Sequence, residues 1–173
     1  SNTDGRGADW GPDGTALAWY SRVGSQAWIA RRGADGRWQP ATLRAERVLW
    51  PKWSPDGRLL IGTSPDGRVV EVEAATGRAD TVYSPRPGSG DVQAEFAAWA
   101  PNGRDVWFKS HDADGNATLW SLPGGRGTPS PLVRFDDATR PSYRIEWDTD
   151  GQRIFVALND RQSDIWVAEV NQQ

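Results

Sequence analysis

The chain has no cysteine, no methionine, a single histidine and no apolar run longer than five residues. Without cysteine, disulfides, thiolate zinc sites and cysteine nucleophiles are excluded together, and the redox state of the compartment leaves no mark. A bilayer span needs ~20 consecutive apolar residues, so no membrane insertion is expected of this segment. Basic residues are scattered and the net charge is −3, against the clustered basic stripe of a nucleic-acid surface. A Ser-His-Asp triad would have to use His111, the one histidine, yet no G-x-S-x-G elbow occurs. His111 reads as a solvated loop residue. The lack of Met, at position 1 included, points to an N-terminus that lies upstream or was processed away.

What the chain has instead is 19 Gly, 12 Pro and 11 Trp in 173 residues, with 37% apolar residues. That mixture predicts an all-β domain of short strands, sharp turns and large aromatic core residues. The turns repeat. "WGPDGTALAW" at Trp10, "WSPDGRLLIG" at Trp53, "WAPNGRDVWF" at Trp99 and "WDTDGQRIFV" at Trp147 recur at intervals of 43, 46 and 48 residues, the period of a four-stranded propeller blade. In each unit the Asp-Gly or Asn-Gly turn, with Gly14, Gly57, Gly103 and Gly151, supplies the φ > 0 position of a tight reversal. An apolar run follows, then a second turn and a second strand-like run: "QAWIARR", "RVVEVEA", "ATLWSLP" and "SDIWVAE". Units one to three continue into "WQPATLRA", "ADTVYS" and "PSPLVRF".

Four strands per unit predict a β-propeller of four-stranded antiparallel blades, about four in this chain, at residues 8–45, 48–85, 92–136 and 143–173, the last incomplete. The N-terminal "SNTDGRGAD" is a poor strand former, so the ring is expected to be open, with edges and blade faces that another blade or a second copy of the chain would cover. Two departures stand out. Thr149 replaces the turn proline in unit four, and Gly62 sits where the other units place a large apolar residue, a local thinning of blade two.

These motifs resemble the TolB-like, WD-repeat-like β-propellers of bacteria, on "KWSPDGRLLIG" for the turn and first strand and "SDIWVAEV" for the third. The stretch "LVRFDDATRPSYRIEWDTDGQRIFVALNDRQSDIWVAEV" is also similar to the ends of propellers attached to bacterial serine/threonine kinases and transcription regulators. The resemblance implies a periplasmic or extracytoplasmic, non-enzymatic binding or scaffold module with a protein or peptide partner, within a larger envelope or regulatory protein. Two other readings are open. One is the gating propeller of a prolyl-oligopeptidase-type serine peptidase, whose blades are similar; the other is a half-propeller that self-associates through its open blade edges into a closed eight-bladed ring.

Residue by residue, most candidates read as structural. Trp10, Trp53, Trp99 and Trp147 at one register are what inter-blade packing needs, and Trp28, Trp120 and Trp166 repeat in the third strand. Asp13, Asp56, Asp150 and Asn102 are turn residues. "DADGN", Asp112 to Asn116, lacks the glutamate that closes a calcium loop, and no metal or cofactor is expected. Function could sit just before each repeat Trp, on the innermost strand. There Asp9, Lys52 with Trp50, Ala98 with Phe96, and Glu146 with Arg144 differ from unit to unit. Trp50, Lys52, Arg144 and Glu146 are the candidate ligand- or partner-binding residues.

Overall fold

A computed structural model describes residues 4–135, 137, 147–149 and 153–157. The repeat is written first in the turns. The backbone N–H of the residue after each repeat Trp (Gly11, Ser54, Ala100) donates to the carbonyl five residues on (Ala16, Leu59, Asp105) at 2.8–2.9 Å, and its own carbonyl accepts from the turn glycine. Gly14, Gly57 and Gly103 stand at φ 70°, 70° and 66°, where a side chain would be strained. The turn acids hold the backbone beyond: Asp13 accepts from Thr15, Asp56 from Arg58 and Ser54, and Asn102 from Arg104 and Asp105.

From these turns grow three four-stranded antiparallel sheets. The first is β1 (Gly5–Trp10), β2 (Ala16–Ser21), β3 (Gln26–Arg31) and β4 (Thr42–Ala45); the second is β5 (Leu49–Trp53), β6 (Leu59–Thr63), β7 (Val69–Glu73) and β8 (Ala79–Tyr83); the third is β9 (Phe96–Trp99), β10 (Val106–His111), β11 (Ala117–Leu122) and β12 (Ser130–Phe135). Each sheet runs in chain order, as propeller blades do. In the fourth unit β13 (Trp147–Thr149) pairs with β14 (Ile154–Val156); the "SDIWVAE" run, Trp166, Asp150 and Gly151 lie outside the described residues.

The core lies between the blades. Ala16, Ala18, Ala27, Ile29 and Ala45 of blade one meet Trp53, Leu60, Val70 and Val72 of blade two. Ile61, Val69, Val82 and Tyr83 of blade two meet Val106, Phe108, Leu122 and Trp99 of blade three. Phe96, Leu119 and Trp107 of blade three meet Trp147 and Ile154 of the fourth unit. One repeat Trp therefore sits in each interface, on the sheet of the blade before it. Trp53 and Trp147 are 8% and 6% exposed, whereas Trp10 is 59% exposed. It packs on Trp38 at 5.8 Å and has no second sheet over it among the described residues, so it does not join the core with the other three.

Three local expectations change. "GRGAD" does form strand, as β1, because Gly7 adopts φ 58° at a bulge between Arg6 and Asp9. Gly62 is not a gap: a Cβ there would lie 2.6 Å from the Leu49 carbonyl oxygen and 2.8 Å from Val48 Cγ1, so the chain link into blade two occupies the space. Thr149, unlike proline, keeps its N–H and its freedom to extend. It pairs with Ile154, and Trp147 pairs with Val156, two residues further along than the seven-residue offset of Trp10–Leu17, Trp53–Leu60 and Trp99–Val106.

Two outcomes follow for stability. Gly62→Ala forces a methyl against backbone and should destabilise the chain by about 1–3 kcal/mol, read as a lower urea midpoint at unchanged slope. The carboxyls of Asp13, Asp56, Asp66, Asp105 and Asp112 are held below their ordinary value, chiefly by hydrogen bonds from Thr15, Ser54, Ser64, Gly124 and Asn116 respectively. A carboxyl depressed in the folded state stabilises above its unfolded pKa and loses that contribution on acidification. The melting temperature should accordingly fall as the pH drops below about 4; a flat profile down to acid pH would show that these turn bonds contribute nothing.

Candidate functional site

The inner strands β1, β5, β9 and β13 bring side chains of four units to a common axis. Gly7 and Trp50 occupy the same register, three residues before their repeat Trp, and both are left-handed, at φ 58° and 52°, beside bulges at equivalent places in β1 and β5. For glycine this is free; for a bulky aromatic followed by Pro51 it is an outlier that costs roughly 1–3 kcal/mol. Packing holds it there. The Trp50 ring lies 4.8 Å from Tyr20 and 6.0 Å from Phe96, centroid to centroid. A Cβ on Gly7 would approach it to 2.5 Å, so blade one needs its glycine to admit the indole of blade two.

Lys52 joins three blades. Its Nζ donates to Asp9 Oδ1 of blade one at 3.0 Å and lies 5.7 Å from the Phe96 ring of blade three. Asp9 does more than pair with it: Oδ2 accepts the Trp53 N–H at 2.9 Å and the Asp9 carbonyl accepts Trp53 Nε1 at 3.2 Å. The lysine is therefore not a lone cation awaiting an anion. A ligand would meet an ion pair that offers a donor and an acceptor side by side.

Two cavities share Lys52. One, of about 570 Å³, opens among the W-x-P turns and touches Trp10, Trp53, Trp99 and Trp147. The other, of about 450 Å³, is walled by Trp50, Phe96, Trp147 and Phe155 with Gly7 at its edge. The bulge interrupts the simple alternation that would have put Trp50 and Lys52 on one strand face, yet both line this second cavity. Arg144 and Glu146 lie outside the described residues. Phe155 and Tyr20 were not singled out in the sequence; the only signal for Phe155 was its place in an apolar run. His111 is the last residue of β10 rather than a loop residue, and its Nδ1 lies 2.5 Å from Glu95 Oε2. "DADGN" is a turn, with the Asp112 carboxylate accepting from Asp114 and Asn116.

No protein-family model matches the chain, and no curated protein matches it. Solved structures do. A TolB protein from Agrobacterium tumefaciens superposes with a TM-score of 0.67 at 17% identity, over 92% of this chain and 60% of its own. A gluconolactonase from Xanthomonas campestris gives 0.65 at 14%, over 94% and 56%, and TolB from Acinetobacter baumannii gives 0.54 at 18%, over 94% and 42%. The chain is a partial β-propeller, and its fold is that of the TolB propellers. It spans between 42% and 60% of the length of these three structures.

The expectation that the chain is not an enzyme is corrected here. The gluconolactonase, and an oligogalacturonate lyase solved with manganese (TM-score 0.57, 12% identity), are named as enzymes and share the fold. A propeller of this kind is thus no argument against catalysis.

Asp9 provides a direct test of the axial geometry. Asp9→Ala leaves the Trp53 N–H and the Lys52 ammonium without their acceptor, and should cost about 1–3 kcal/mol in denaturant unfolding. Asp9→Asn keeps one acceptor oxygen and should lose less.

Proposed function

We propose that the chain is a recognition module whose axial cavity holds an extended segment of a protein partner, within a larger bacterial envelope or regulatory protein. One observation carries the reading: Trp50 is kept in a left-handed conformation, at the register where blade one has glycine, and it walls the cavity with Phe96, Trp147 and Phe155. Strain held in place by packing is characteristic of ligand clamps. The chemistry suits a peptide. Aromatic walls accept one apolar side chain, while the Lys52–Asp9 pair supplies the donor and acceptor that a peptide unit needs. A free anion gains little from an ammonium that a carboxylate already neutralises. An extracytoplasmic location belongs to the same proposal and rests on the resemblance of the W-S-P-D-G turns; among the described residues no helix is long and apolar enough to cross a membrane.

The test is calorimetric titration of the full chain with extended peptides that each carry a single aromatic or aliphatic residue between polar ones. Trp50→Gly removes the aromatic wall at a position where glycine accepts the backbone, so the fold should persist by circular dichroism. Binding should weaken about 30-fold, the loss of a hot spot of ~2 kcal/mol. Peptide binding that survives Trp50→Gly unchanged would place the partner elsewhere on the molecule and end the proposal.

A further inference from the structure

The groove between neighbouring blades at their outer strands occurs twice, and the two copies differ. A register shift in each outer pair sets one third-strand residue: Val70 pairs with Thr81 in blade two, and Trp120 with Pro131 in blade three. They share one place in the repeat, two residues before Val72 and Leu122, the partners of Leu60 and Val106. At Val70 the groove between blades one and two is small, about 220 Å³, and charged, with Arg47 and Arg68 on Asp66. At Trp120 the groove between blades two and three reaches about 410 Å³ and is walled by Tyr83, Arg86, Asp91, Trp120, Thr128 and Pro129. The link beside it is longer too. Blade one passes to blade two through residues 46–48, whereas blade two passes to blade three through 84–95, a length typical of compact functional loops.

The long link is braced from within. Asp91 accepts from the Arg86 backbone N–H at 3.0 Å and from its guanidinium at 2.8 and 3.2 Å, and Ser89 Oγ donates to the Arg86 carbonyl at 2.7 Å. These bonds hold the Asp91 carboxyl far below the usual carboxylate range, so the pair stays ionised and neutral as a unit. The aromatic handles are spent as well. Trp120 Nε1 donates to Ser110 Oγ at 2.9 Å, and the Tyr83 hydroxyl donates to the Val92 carbonyl at 2.6 Å. Half-buried Trp120 therefore offers an occupant its ring face, which is the negative side of an aromatic and attracts polarised C–H groups. The polar groups left over are the Ser84 and Thr128 hydroxyls and Arg86 Nη1, which carry no hydrogen bond among the described residues. A free anion finds its guanidinium already neutralised, and an extended peptide finds the indole N–H and the phenol taken. We infer that this groove is a saccharide site, separate from the axial cavity, in which one neutral pyranose stacks its C–H face on Trp120 and places vicinal hydroxyls against Ser84, Thr128 and Arg86. Hydroxyls both donate and accept, as such a ring requires, the volume lies within the ~300–1,000 Å³ of small-ligand pockets, and a braced loop lowers the ordering cost of binding.

The test is fluorine NMR of the full chain with 5-fluorotryptophan in place of its tryptophans, the Trp120 resonance being assigned by Trp120→Phe. Maltotriose, cellotriose and tri-N-acetylchitotriose are titrated, with a polyproline peptide and galacturonate as the competing classes. At least one neutral trisaccharide should move the Trp120 resonance saturably while those of Trp50 and Trp147 stay in place. Trp120→Val installs the residue that blade two carries at this place, so the fold should persist by circular dichroism, and saccharide binding, read by saturation transfer to the sugar C–H protons, should weaken about tenfold or more. Thr128→Ala, at an exposed hydroxyl, should weaken it several-fold and decides the matter if Trp120→Val does not fold. Trp50→Gly should leave it unchanged, which keeps the outcome apart from that of the axial peptide site. The inference is overturned if no neutral saccharide moves the Trp120 resonance, if the peptide or galacturonate alone does so, if binding is equal in the Trp120→Val chain, or if it is lost on Trp50→Gly.

Discussion

Each blade is held to the one before it by an indole laid on its sheet, on alanines and Ile29 in blade one and on larger apolar residues in blades two and three. Trp53 shows why this contact matters. Its indole packs on the alanines and Ile29 of blade one, and its Nε1 and N–H both reach back to Asp9. Burial of an aromatic of 150–250 Å² at ~25 cal/mol per Å² is worth roughly 4–6 kcal/mol before entropy is subtracted, comparable with the whole stability of a small domain. A blade alone cannot bury both faces; stacking does it, and the Trp fixes the depth at which neighbours meet.

That stacking also builds the axis. Because the inner strand of blades one to three ends at its repeat Trp, the residue before that Trp arrives at the same height in each, which is how Asp9 and Lys52 come within 3.0 Å across 43 residues of sequence. The same register puts Gly7 and Trp50 at one level, where the smaller residue makes space for the larger. These positions vary inside an otherwise repeated frame, and the inner strands of that frame supply Trp50, Lys52, Phe96 and Trp147 to the walls of the second cavity.

The repeat was legible because its determinants are local: Trp, Pro, Asp or Asn, and Gly within five residues set the turn, and the interval between turns sets the blade. Trp50 and Lys52 stood out because they broke the repeat. What escaped was everything decided between blades. Trp10 carries the same motif as Trp53, but burial depends on a neighbour and not on the motif. The Glu95–His111 pair joins residues 16 apart, brought together by the β9–β10 pairing. Thr149 was visible as a lost proline, but its effect, a ladder that continues two residues past the Trp, follows from pairing geometry. The left-handed Trp50 had one sequence clue, the glycine at its register in blade one, and that clue gains meaning only when both bulges are in view.

The most direct measurement is a comparison of Trp53→Ala with Trp10→Ala by urea unfolding of the same chain. If one indole per interface holds the blades together, Trp53→Ala should cost about 3–5 kcal/mol, whereas Trp10→Ala, at an uncovered face, should stay within about 0.5 kcal/mol. Equal losses at the two positions, or a negligible loss at Trp53, would contradict that arrangement.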